Sequence, residues 1–138
     1  MKNFSILFIL TAVVILGCKK EETTIAIDSK ILVELRKDAN DNYQIIATTE
    51  KTYPYSNYPI LFSKTKVGST ITVKFKKIST GETLLPAFGP AKATIDFKNL
   101  TKNSYRVKFE LNGKTTEGTL TINPMSIKLH GGGNVLEK

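Results

Sequence analysis

The sequence predicts an all-β protein, a sandwich of about 7–9 antiparallel strands. Three observations carry that reading. Apolar residues recur at every second position almost throughout, the period of a strand with one buried face. Clusters of turn-forming residues interrupt the pattern about every 8–12 residues. No stretch beyond residue 25 shows a helical period. Inward alternating positions are spread over the whole length, which favours two facing sheets over a single closed one.

Taken in order, Ile25 and Ile27 alternate with polar neighbours, and Ile31, Val33 and Leu35 continue on the same parity. Asp38-Ala39-Asn40-Asp41-Asn42 is a turn cluster, and Tyr43 to Thr49 reads as the returning strand. In Thr52-Tyr53-Pro54-Tyr55-Ser56-Asn57-Tyr58-Pro59 two prolines argue against a central strand. A short strand over Ile60-Leu61-Phe62 and a turn at Val67-Gly68-Ser69 follow. Ile71, Val73 and Phe75 then point one way, and Thr72, Lys74 and Lys76 the other. Ser79-Thr80-Gly81-Glu82 turns the chain, Leu84 to Pro90 reads as an irregular crossover, and Ile95 and Phe97 mark the next strand.

The clearest unit is a hairpin. Tyr105, Val107, Phe109 and Leu111 alternate with Arg106, Lys108 and Glu110, and Asn112-Gly113 supplies the positive φ angles of a two-residue turn. Pairing outward from that turn sets Lys108 opposite Glu117, Val107 opposite Gly118 and Tyr105 opposite Leu120, which puts Leu120 and Ile122 on the buried face. A glycine at position 118 implies a bulge or a large neighbour. Ser126 to Leu129 forms a last short strand, and the rest reads as a polar tail.

A different kind of segment precedes the strands. It starts with Lys2, runs through an apolar stretch from Phe4 to Gly17 and ends at Cys18, the only cysteine. A membrane-spanning helix needs about 20 apolar residues; this stretch is only fourteen residues long. A positive start, an apolar middle and a small residue before the cut make up the secretory signal pattern. Ile15-Leu16-Gly17-Cys18 resembles the lipobox of bacterial lipoproteins. The resemblance implies a diacylglycerol on the Cys18 thiol, a signal peptide over 1–17, a lipidated cysteine and polar tether over 18–24, and the β-sandwich domain over 25–138. Lys19 at the second mature position resembles outer-membrane sorting. Lys19-Lys20-Glu21-Glu22 is similar to the surface-export tether of Bacteroidota lipoproteins, and Gly89-Pro90-Ala91-Lys92-Ala93-Thr94 to small lipoproteins of the same group. The domain would then be lipid-anchored at the outer membrane, facing the periplasm or the cell surface. With the thiol acylated, disulfides, a cysteine nucleophile and thiolate metal sites are all excluded.

The chain carries 20 Lys+Arg and 12 Asp+Glu. Lys2, Lys19, Lys20, Glu21 and Glu22 precede Ile25, leaving seventeen cations against ten carboxylates in the domain. That excess suits anionic partners such as lipid A phosphates, acidic glycans or phospholipid headgroups. It also suits plain solubility and the protection of sheet edges. Arg36 and Arg106 are the only arginines, so a dense guanidinium cluster of the kind that reads phosphate is absent, and no nucleic-acid partner is expected.

Ile95 through Val107 resembles the E–F corner of immunoglobulin-like and fibronectin type III-like domains. In that corner a leucine ends one strand, a polar turn follows, and a tyrosine opens the next and bonds back to the upstream backbone. Leu100 and Tyr105 stand in those places. The inter-sheet cysteines and core tryptophan of true immunoglobulins are missing. The resemblance implies an immunoglobulin-like sandwich and transfers no catalytic residue.

Catalytic constellations are thin. His130-Gly131-Gly132-Gly133 resembles the oxyanion strand of esterases, but there is no Gly-x-Ser-x-Gly elbow and no second histidine. Ser63-Lys64-Thr65-Lys66 has Ser-x-x-Lys spacing without the partner motifs. Asp38, Asn40 and Asp41 lack the glycine and distal glutamate of a calcium loop. No metal or cofactor is expected, and no enzyme. Two surface features remain. Tyr53, Tyr55 and Tyr58, interleaved with prolines, are a candidate aromatic platform for sugar rings or a Pro-rich edge for a protein partner; the same residues also suit an edge segment whose tyrosines pack over the end of the sandwich. Lys74 and Lys76 on one strand and Arg106 and Lys108 on another form a candidate basic stripe if both strands share a sheet, partly cancelled by Glu117 and Asp96. The sequence thus points to a non-catalytic binding module for a glycan, a polyanion or an envelope protein. A structural role, docking through a sheet edge, is the alternative.

Overall fold

The computed structural model describes residues 23–54, 58–81 and 86–138. Cys18, the leader, most of the tether, and Tyr55 lie outside the described residues. Among those described there is no helix; there are ten strands. They are β1 (Thr24–Ile25), β2 (Ile31–Lys37), β3 (Tyr43–Tyr53), β4 (Ile60–Val67), β5 (Thr70–Ser79), β6 (Gly89–Phe97), β7 (Ser104–Leu111), β8 (Lys114–Thr121), β9 (Ser126–His130) and β10 (Val135–Glu137). The six-stranded sheet runs β4-β5-β7-β8-β9, with β1 beside the far end of β5; the four-stranded sheet runs β10-β2-β3-β6.

The period-two pattern becomes burial. In β6 every odd residue from Gly89 to Phe97 is buried and every even one exposed. Ile31, Val33, Ile45, Ala47 and Ile95 from one sheet join Ile71, Val73, Phe75, Val107, Phe109 and Leu120 from the other in a single apolar cluster. The hairpin register is as the sequence predicts: Lys108 pairs Glu117, Val107 pairs Gly118 and Tyr105 pairs Leu120. Asn112 and Gly113 take φ values of 51° and 75°.

Several elements differ from the sequence expectation. β3 does not stop at Thr49: the ladder to β6 slips between Thr48 and Thr52 and resumes through Thr52–Pro90 and Tyr53–Gly89. The buried Thr49 hydroxyl repairs the slip, donating to the Lys51 carbonyl (2.7 Å) and accepting the Ala91 N–H (2.9 Å). Only Pro54 ends the strand. β4 continues five residues beyond Phe62, so Ser63-Lys64-Thr65-Lys66 lies mid-strand rather than at a strand end. Its alternation is hidden because Lys64 and Lys66 occupy inward positions, paired with Val73 and Ile71. From this edge strand their ammonium groups reach over the rim, above the rings of Phe97 (5.2 Å) and Tyr105 (5.5 Å). Lys64 also donates to the Asp96 carbonyl. Inward charges of this kind blunt an edge against pairing with another chain.

The polar-tail expectation fails too. His130 ends β9 opposite Glu117, and the three glycines carry the chain to β10, which pairs parallel with β2. Gly131 has φ 87°, and a Cβ on Gly133 would collide with the Thr116 side chain. The glycines therefore serve a tight crossover between sheets. Glu137 then accepts the Leu129 N–H at 2.6 Å, tying β10 to β9.

Between β6 and β7 the chain crosses from the four-stranded to the six-stranded sheet. Tyr105, 1 % exposed, accepts the Lys102 N–H on its hydroxyl at 2.9 Å, and Leu100 packs against the core. Tyr105→Phe is expected to lower stability by about 1–1.5 kcal/mol through loss of that bond. Urea denaturation followed by circular dichroism measures it; an unchanged midpoint contradicts the role assigned to the hydroxyl.

Candidate functional site

Pairing decides which surface residues meet. β5 and β7 run parallel, with Thr70 against Arg106, Thr72 against Lys108 and Lys74 against Glu110. Strand pleating sends these side chains to the outer face of the six-stranded sheet, away from Ile71, Val73, Val107 and Phe109. Both halves of the sequence-predicted stripe therefore lie in one sheet. β8 adds Glu117 and Thr119 beside Lys108 and Arg106, and β9 adds His130 and Lys128. On the other side β4 contributes Ser63 and Thr65, paired with Lys74 and Thr72. The result is a grid of hydroxyls and cations broken by two carboxylates.

Those carboxylates are engaged. Lys74 Nζ lies 3.6 Å from Glu110, and Glu117 receives Lys108 at 3.1 Å and Arg106 at 3.5 Å. The hydrogen bond and charge of Lys108, with a smaller contribution from Arg106, hold the Glu117 carboxyl below its ordinary range. Solvent-exposed pairs of this type contribute little to stability, so the groups remain available to an incoming ligand. Asp96 belongs to the other sheet, where Gln44 donates to it at 2.7 Å; it does not offset the stripe. Lys76 is exposed just past the irregularity in the β4–β5 pairing, with no ion pair among the described residues. Shallow cavities of about 300 and 170 Å³ flank the Lys74–Glu110 pair.

The aromatic platform is not formed by the described tyrosines. Tyr53 and Tyr58 are 5 % and 8 % exposed and meet edge-to-face, 6.1 Å apart at 70°. Their rings close one end of the core, which leaves no face for a sugar. Tyr53 donates its hydroxyl to Asp28 at 3.2 Å, and burial, with the Asp28 charge, pushes its pKa up. Lys51 neutralises Asp28 at 2.5 Å. Of the readings open to these tyrosines, packing over the end of the sandwich is the one observed.

The Asp38 loop is a turn. Asp38 accepts the Asn40 N–H (2.8 Å), the Asn42 N–H (2.9 Å) and the Asn42 side-chain amide (3.1 Å). The Asn42 bonds, side chain first, pull the Asp38 pKa down. Among the described residues no group of three or more His, Cys, Asp or Glu is arranged to hold a metal.

A second groove, about 190 Å³, opens between β4 and β6 and is lined by Lys64, Lys66, Phe97 and Lys98. It was not legible beforehand, because the inward lysines mimic a loop in the sequence. Compared with known proteins, the chain matches no family model, no curated protein and no solved structure.

Proposed function

We propose that the chain is a lipid-anchored lipoprotein of the cell envelope whose immunoglobulin-like β-sandwich binds an anionic envelope component without catalysis. The carrying observation is the pairing of β5 with β7, which gathers Lys74, Arg106 and Lys108 on one hydroxyl-rich face. Cys18 behind its apolar run supports the anchor, and the Tyr105 corner between sheets supports the immunoglobulin-like reading. Docking through a sheet edge has less support. β4 carries inward lysines, β6 is bridged to Pro59 at Lys92, and β9 is tied to Glu137.

The face is tested on immobilised dextran sulfate, with uncharged dextran as the comparison. Wild-type protein should be retained by the sulfated polymer and released as salt rises beyond the physiological range, as exposed charge is screened. The double variant Arg106→Glu, Lys108→Glu should bind on the order of tenfold more weakly or less still, through repulsion and the loss of counterion release. Equal retention of the variant, or equal retention on plain dextran, overturns the reading. The anchor is tested separately: Cys18→Ser should abolish palmitate labelling and release the protein from membranes, and persistent labelling would refute it.

A further inference from the structure

The position at which the tether joins the domain singles out one end of the molecule. Thr80 donates its N–H to the Thr23 carbonyl at 2.8 Å, and Thr24 and Ile25 pair with Ser79 and Ile78 at the end of β5. The chain is thus pinned to the sheet from Thr23 onward. Only residues 19–22 separate Thr23 from Cys18, and five Cα steps reach at most about 18 Å even when fully extended. A lipid on Cys18 would hold this end of the domain within that distance of the headgroups.

The same end presents the most exposed large apolar side chain among the described residues. Phe88 is 82 % exposed and immediately precedes β6, whose first residue pairs with Tyr53 at the end of β3. The Pro59–Lys92 bridge connects the start of β6 to the start of β4, and Ile60 pairs with Ile78 beside the tether. Phe88 therefore projects from the end where Thr23 leaves. The β7–β8 hairpin lies there as well, since Asn112 donates its amide to the Ile27 carbonyl at 2.8 Å. Lys76, Lys77 and Lys114 are exposed at this end and make no ion pair among the described residues. The opposite end holds Val67, 77 % exposed, with Lys66 and Lys102 close by, so it is the tether that distinguishes the two ends.

We infer that the tether end is a second membrane contact, in which Phe88 enters the interface of an anionic phospholipid surface while Lys76, Lys77 and Lys114 face the headgroups. This rests on the anchor reading, which sets the distance. An aromatic side chain with a cationic surround suits the lipid–water boundary, and a covalent chain gains much from a second signal of this kind. The contact would orient the domain, leaving the grid of the six-stranded sheet upright and free to meet its ligand.

The chain has no tryptophan, so one introduced residue reports alone. In the full lipidated protein, reconstituted in vesicles of phosphatidylglycerol and phosphatidylethanolamine, Phe88→Trp should emit at shorter wavelength and be quenched by brominated acyl chains. Val67→Trp should emit as in water and remain unquenched. Unshifted, unquenched emission from position 88 overturns the inference, and so does a blue shift already present without lipid, which would mean a protein contact. The ten strands and the core found among the described residues lie within residues 24–137, so a chain beginning at Lys19 keeps every one of them. That chain should sediment with phosphatidylglycerol vesicles about tenfold better than its Phe88→Asp variant. Equal sedimentation refutes the membrane contact whether or not Cys18 is acylated, and palmitate labelling reports on the anchor alone.

Discussion

Gly118→Ala is expected to lower stability by about 3 kcal/mol, among the larger effects available to a single methyl group. Gly118 sits in the middle of β8, between Val107 of β7 and Leu129 of β9. A Cβ there would fall inside contact distance of the Lys128 carbonyl oxygen and within 2.7 Å of Leu129 Cδ2. The side chain can rotate away; the carbonyl belongs to the β8–β9 ladder and cannot retreat without opening it. Gly132→Ala is the matched control, because a Cβ at that position meets nothing within 4 Å. Urea melts of the chain from Lys19 should show a large drop in midpoint for the first variant and almost none for the second. Equal midpoints would mean that β9 does not lie against β8 as described.

That glycine shows how far local pattern reaches. The Asn112-Gly113 turn fixes the hairpin register, and the register alone places Gly118 opposite Val107, where a glycine means either a bulge or a large neighbour. The identity of that neighbour, Leu129, comes from the next strand. Where a side chain's role follows from residues a few positions away, the sequence is a sufficient guide: the Asp38 turn, the alternation of β5 and the bond of the Tyr105 hydroxyl to the Lys102 N–H all belong here.

Where the role depends on distant strands, the sequence misleads. For Tyr53 and Tyr58 the sequence allows a surface platform or packing over the sandwich end, and only the distant strands decide that their rings fill the end of the core. Lys64 and Lys66 break the apolar alternation and so hide half of β4. A short run, Val135-Leu136-Glu137, has no partner in its own neighbourhood and finds one in β2, over a hundred residues earlier. The stripe of Lys74, Arg106 and Lys108 was visible as two half-faces, and only the parallel pairing of β5 with β7 joins them. Nothing local encodes that pairing, since the two strands are separated by β6 in the other sheet.

Phe109→Ala should cost about 3–5 kcal/mol, the range for emptying an aromatic site in a packed core. Phe109 is fully buried and stacks on Phe75, with ring centroids 6.1 Å apart and planes 10° from parallel. It lies on β7 between Val73 of β5 and Thr116 of β8, so no loop adjoins it that could collapse into the space. Its neighbours in sequence, Lys108 and Glu110, point the other way and belong to the charged grid. One strand thus carries both scaffold and surface, and substitutions on its two faces should separate cleanly. Lys108→Ala is expected to stay within about 0.5 kcal/mol of wild type, as exposed ion pairs do, while weakening retention on dextran sulfate. Phe109→Ala should lose stability, and binding only to the extent that the sheet unfolds. A Phe109→Ala protein as stable as wild type would place the core elsewhere. A Lys108→Ala protein destabilised as much as Phe109→Ala would make that lysine part of the scaffold and remove it from the binding face.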